Sequence, residues 1–231
     1  MPFVALIIAV VLLALAWSVR SRLKAAERAE FIRRYTLPPG LFEKLRKKHP
    51  QLTLKDCQLI AQGLRQFFLA YLKSGRQFVA MPSQGVDDLW HEFILYTKNY
   101  ELFCRKAFGQ FLHHTPAIVL GADKKDNSGL RRVWWYACRE ENIDPRQPTR
   151  LPLLFAIDTK LGIAGGFAYA ANCQALQGKT TTGSATHCGA DFSNSSIDGG
   201  TEGFSDRASD GSSDGGGDSG GSCGGGCGGG D

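Results

Sequence analysis

Phe3–Trp17 is an unbroken apolar run, and the first charged side chain after it is Arg20. A helix over residues 1–19 spans about 28 Å, close to the roughly 30 Å hydrocarbon core of a bilayer. The expectation is a transmembrane anchor. A cleaved signal peptide would need a basic stretch before the apolar run, and only Met1 and Pro2 precede it. Ala14-Leu15-Ala16 has the small-x-small form of a cleavage site but lies inside the run. The charges follow instead: Arg20, Arg22, Lys24, Arg28, Arg33 and Arg34 against Glu27 and Glu30. Basic residues beside a first helix hold that flank in the cytoplasm. The reading is therefore a single-pass protein of the inner (plasma) membrane, with the N-terminus outside and everything after Arg20 inside.

The opposite end has another character. The stretch 189–231 holds 16 of the 28 glycines and nine serines, with eight acidic residues against Arg207 alone. Its net charge is −7, so the rest of a +5 chain carries +12. So little apolar surface cannot offset the entropy of ordering, which predicts a disordered acidic Gly/Ser/Asp tail. The division expected is an anchor at 1–19, a basic juxtamembrane segment at 20–36, a helical domain at 37–171, a linker at 172–188 and the tail at 189–231. Seven cysteines, an odd number without paired spacings, suit a reducing compartment. Cys57, Cys104 and Cys138 lie in apolar runs, where a thiol behaves as a small hydrophobe. Cys223 and Cys227 form a lone C-x3-C, half of a closed zinc site unless Cys188 and His187 or a second chain complete it.

Helical periodicity dominates between the ends, and the fold class is mainly α. Leu37-Pro-Pro-Gly40 reads as a turn and Leu41–Lys48 as a short basic helix stopped by Pro50. Thr53 and Asp56 form a variant capping box. Leu54, Cys57, Ile60, Leu64, Phe67 and Tyr71 then recur every three or four residues, one amphipathic helix ending near Ser74-Gly75. Ser83 is a candidate N-cap for the next helix, Gly109 a stop, and Leu130–Glu141 a further helix. Pro152–Ala171, apolar but interrupted by Gly162, Gly165 and Gly166, reads as loop, short strand or packed helix. The basic cluster Lys44, Arg46, Lys47 and Lys48 comes with no nucleic-acid module. Anionic lipid head groups explain it more simply.

Candidate chemistry gathers in Val86–Pro116, "VDDLWHEFILYTKNYELFCRKAFGQFLHHTP", which holds three of the five histidines. The candidate metal ligands are Asp87, Asp88, His91, Cys104, His113 and His114. Asp87 and His91 stand at i,i+4 and share a helix face. Such a pair suits metal ligation, or a carboxylate orienting an imidazole. Cys104 lies thirteen residues beyond His91, about 220° away round a straight helix. The two converge only if the chain breaks near Thr97–Asn99. A continuous helix instead puts Trp90, Ile94, Thr97, Glu101, Cys104 and Phe108 on one stripe, with Cys104 in the core. The adjacent His113 and His114 cannot both point inward. The bland alternative, histidines hydrogen-bonded in the core or at the surface, stands beside both.

This stretch resembles the signature of bacterial glycine-rich-domain-containing membrane proteins, an uncharacterised group. It is similar, more distantly, to the domain of plant glycine-rich domain proteins. Their W-H-x-H-x-L-x-P-x-x-Y-x-x-D-C pattern falls on Trp90, His91, Leu95, Tyr100 and Cys104. Phe93, Thr97 and Phe103 stand where that pattern has His, Pro and Asp. The change at Phe93 removes a potential ligand, and that at Thr97 weakens the case for a break. The resemblance implies a shared fold and brings no established activity.

Two functional readings follow. The first is an interaction or scaffold protein at the inner face of the membrane, with membrane lipids and a protein partner but no nucleic acid and no cofactor. The alternative is a metal-binding domain, hydrolytic or redox, using the His/Cys constellation with a divalent metal such as zinc. No Ser/His/Asp arrangement, phosphate-binding loop or dinucleotide fingerprint is present, so whether the chain is an enzyme stays open.

Overall fold

The computed structural model describes residues 2–114, 128–171 and 187–188. The tail from 189 to 231, with Cys223 and Cys227, and most of the 172–188 linker lie outside the described residues. Among the described residues the chain is mainly helical, with two strands of two residues each.

The basic segment after the apolar run does not start a new element. SRLKAAERAEFIRR consists largely of strong helix formers, and α1 (Pro2–Arg34) continues through it as one helix of 33 residues, about 50 Å long. Its apolar part is exposed, with Leu13 at 71% and Trp17 at 77%. By length and composition α1 is able to cross a membrane. Its last turns differ, because Ala29 and Ile32 are buried in the domain core and Arg28 Nη1 donates to the Phe108 carbonyl at 3.2 Å.

After the Leu37–Gly40 turn comes α2 (Leu41–Lys48), which buries Leu41 and Leu45. The centre of the domain is α3 (Leu54–Lys73). The capping box forms as its residues suggest: Thr53 Oγ1 accepts from the Asp56 N–H, and Asp56 Oδ2 accepts from the Thr53 N–H at 2.8 Å. The helix closes at Ser74, followed by Gly75 at φ 72°. Cys57, Ile60, Leu64, Phe67 and Phe68 are buried on its inner faces. It packs against α1, α4 (Gln84–Leu95), α6 (Ser128–Glu140) and α7 (Leu153–Leu161). A Cβ on Gly63 would lie 2.5 Å from Ile157 Cδ1, so glycine there sets the approach of α7 to α3.

The segment Pro152–Ala171 resolves into helix α7, a left-handed stop at Gly162 (φ 60°), a loop, and strand β1 (Tyr169–Ala170). Strand β1 pairs in parallel with β2 (His187–Cys188), Tyr169 opposite His187. The first N–H groups of α7 are capped from afar: Leu153 donates to Glu141 Oε1 at 2.6 Å and Leu154 to Gln66 Oε1 at 3.1 Å.

The stretch Val86–Gly109 is two helices. Helix α4 ends at Leu95 and α5 (Thr97–Ala107) begins at Thr97, with Tyr96 between them at φ −82°, ψ 61°.

Candidate metal centre

Helix α4 carries two of the candidate ligands, and its start is fixed with unusual thoroughness. Ser83 Oγ accepts from the Val86 N–H at 3.2 Å and donates to Asp158 Oδ1 at 2.7 Å. The same buried carboxylate accepts from the backbone N–H groups of Gln84 and Gly85 at the head of the helix. A carboxylate at a helix N-terminus satisfies orphan donors and complements the helix dipole. One turn in, Asp87 and His91 project together, with Asp87 Oδ2 3.4 Å from His91 Nδ1.

The third member arrives from the far side of the break. Because α5 folds back at Tyr96 and stops at Gly109 (φ 76°), the extended segment after it returns along α4. This brings His114 Nε2 to 2.9 Å from Asp87 Oδ1. The His114 ring lies 4.1 Å from that of His91, and on another side it meets Trp90 edge-on at 4.6 Å. One ligand atom from each of Asp87, His91 and His114 falls within 4.8 Å of the others. The side chains of Asp87 and His114 are 16% and 13% exposed and that of His91 is 51%, so the cluster is anchored on one side and open to solvent on the other.

The other three candidates, Cys104, His113 and Asp88, lie outside this cluster. Cys104 is buried in the core, where desolvation raises its thiol pKa. The break that was to bring Cys104 towards His91 brings His114 there instead. His113 is exposed and its ring lies 4.8 Å from that of Phe111. Phe93, two residues from His91 on α4, points into the core between Tyr35, Tyr100 and Phe103.

Asp88, also a candidate ligand in the sequence, is drawn away from the cluster by other partners. Beside Asp87 but facing α2, it accepts from Lys48 Nζ at 2.6 Å and Gln84 Nε2 at 2.9 Å and pairs with His49 Nε2 at 2.7 Å. Burial opposes its ionisation, and these hydrogen bonds outweigh it, holding the carboxyl below its ordinary range. Lys44 pairs with Glu92 at 3.3 Å and Arg46 donates to the Leu52 carbonyl. Three of the four basic side chains in that cluster are thus engaged within the domain. Asp158 went unnoticed, since the partners it caps are distant in sequence.

A family model described as UCP032817-like matches residues 27–192. No curated protein and no solved structure matches the chain.

Proposed function

The chain belongs to the UCP032817-like family, and from that premise we propose that its helical domain is a metal-binding module carried at a membrane by α1. The convergence of Asp87, His91 and His114 carries this reading. A tetrahedral zinc with bonds of about 2.0–2.1 Å needs its ligands roughly 3.3 Å apart. Asp87 offers one oxygen to each imidazole, Oδ1 2.9 Å from His114 and Oδ2 3.4 Å from His91, and one ligand atom from each residue lies within 4.8 Å of the others, so small side-chain movements would close the three round an ion. Two imidazoles and one carboxylate leave a coordination position open, as in hydrolytic zinc sites, and the same set suits non-haem iron. A metal so held supplies Lewis acidity and a bound water of lowered pKa. Metal-assisted hydrolysis is the reaction class this ligand set supports, with zinc the first choice of ion.

The membrane part of the proposal rests on the exposed apolar half of α1 and the basic residues that follow it. The helix spans the inner membrane with its N-terminus outside and the domain in the cytoplasm, and Arg20, Arg22 and Lys24 meet the lipid head groups. Alkaline phosphatase fused after Cys188 is expected to be inactive; an active fusion reverses the topology.

A second reading, an interaction module, draws on a groove of about 690 Å³ lined by Leu37, Pro38, Pro39, Phe42, Leu54 and Arg65. Metal content separates the two. The full chain, purified in detergent and equilibrated with zinc, is expected to retain stoichiometric metal. His91→Ala and His114→Ala should lose it while keeping their helical circular dichroism. A folded protein that binds no zinc, or variants that bind as well as the parent, leaves only the interaction reading.

A further inference from the structure

His114 is the ligand with the least local support. Asp87 and His91 ride on a helix, whereas His114 sits in a segment outside any helix or strand. A ligand on such a segment binds a metal well only if something else holds it in place. Two buried aromatic side chains are arranged to do so. Trp90 Nε1–H donates to Tyr100 Oη at 3.1 Å, and Tyr100 Oη–H donates to the Leu112 carbonyl at 2.6 Å. Leu112 is two residues before His114. The chain of bonds thus runs from α4 through α5 to the backbone that carries the imidazole. Trp90 closes the circuit, since its ring also meets the His114 ring. Trp90 and Tyr100 are 3% and 1% exposed, so water cannot replace either bond without opening the core.

We propose that Trp90 and Tyr100 are positioning residues that hold His114 at the metal, making the third ligand conditional on their hydrogen-bonded chain. The proposal rests on the metal-centre reading above. Neither residue touches the ion. Both act through Leu112 and His114, and without them the site relaxes towards the two-ligand pair on α4. Loss of such outer support typically lowers metal affinity by about 10–100-fold.

The test uses Co²⁺ titration, read in its visible d–d bands, and zinc competition on the full-length chain in detergent. Tyr100→Phe keeps the ring and removes the hydroxyl, cutting both bonds. It is expected to weaken zinc binding by about 10–100-fold and to move the Co²⁺ spectrum away from the tetrahedral pattern. Trp90→Phe, which removes the first donor and trims the ring that meets His114, should also weaken binding and covers the case in which Tyr100→Phe fails to fold. Ile60→Val, a core truncation in α3, serves as the control and should keep parental affinity despite its lower stability. Parental affinity in Tyr100→Phe, or an equal loss in Ile60→Val, overturns the positioning role while the metal centre stands. A parent chain that takes up no Co²⁺ removes both.

Discussion

Asp158 shows how much of the site is held by residues that never approach it. Its carboxylate is 3% exposed and accepts from Ser83 Oγ, the Gln84 and Gly85 N–H groups and the Phe167 N–H, all at 2.7–3.1 Å. Three of these donors open α4, the helix that presents Asp87 one turn later. Asp158→Ala strands them in the core and is expected to cost about 3 kcal/mol or more, read from urea denaturation. A shift below about 1 kcal/mol would mean that water takes over the cap. Nothing in the sequence around Asp158 announces this, because its helix-capping partners stand more than seventy residues away. The Thr53–Asp56 box was legible because both halves of it are local. Asp87 and His91 were legible for the same reason; the choice of His114 over His113 was not, since tertiary pairing makes it. Glu140 supplies a pH dependence at the same scale. Burial raises its pKa, but Arg33 and Lys73 hydrogen-bond it and leave the net shift downward. A carboxylate lowered in the folded state adds stability above its unfolded pKa, about 4.3, and loses it as pH falls below that value. Glu140→Gln should therefore lower stability by about 1 kcal/mol at neutral pH and flatten the decline as pH falls below about 4.3. Equal acid slopes in parent and variant would remove Glu140 as the cause.

At the scale of elements, the informative feature is the interruption between α4 and α5. The segment Leu95-Tyr96-Thr97 contains neither proline nor glycine, so periodicity alone left one helix or two undecided. The residue at the break is tied to the Leu37–Gly40 turn. Tyr96 Oη donates to the Pro39 carbonyl at 3.2 Å, and Lys44 Nζ stands 4.9 Å from the centre of its ring. Gly40 is at φ 87°, and a Cβ there would come 3.1 Å from Tyr96 Oη. One glycine therefore provides both a left-handed backbone and room for the Tyr96 hydroxyl. Gly40→Ala is expected to cost about 1–2 kcal/mol from backbone strain alone, and Tyr96→Phe about 1 kcal/mol from the lost bond. Both are read as shifts in thermal midpoint. If Gly40→Ala melts with the parent, the turn does not restrain the break. The remaining helices were readable because their caps and apolar stripes are local; α7 was not, since Glu141 and Gln66 cap it from other elements.

The whole molecule is set by the fact that composition and backbone change at different places. Hydropathy drops at Arg20, so the sequence draws a boundary there, yet α1 runs on to Arg34 and its last turns become domain core. If the apolar half of α1 stands in a bilayer, the helix from Arg20 to Arg34 extends about 20 Å beyond it. In such a placement Arg20, Arg22 and Lys24 are the basic residues nearest the end of the apolar run. Lys44 and Lys48 are paired with Glu92 and Asp88. The two halves of α1 should separate energetically as well. Residues of the apolar half are exposed, whereas Ile32 is fully buried and Arg33 pairs with Glu140 at 2.8 Å. A chain lacking residues 2–19 is expected to be soluble without detergent and to unfold at the same urea midpoint as the full chain. Ile32→Ala in that shortened chain should cost about 2–5 kcal/mol, the usual loss for truncating a buried isoleucine. If removing residues 2–19 lowers the midpoint as much as Ile32→Ala does, the apolar half is part of the domain core and no free stalk exists.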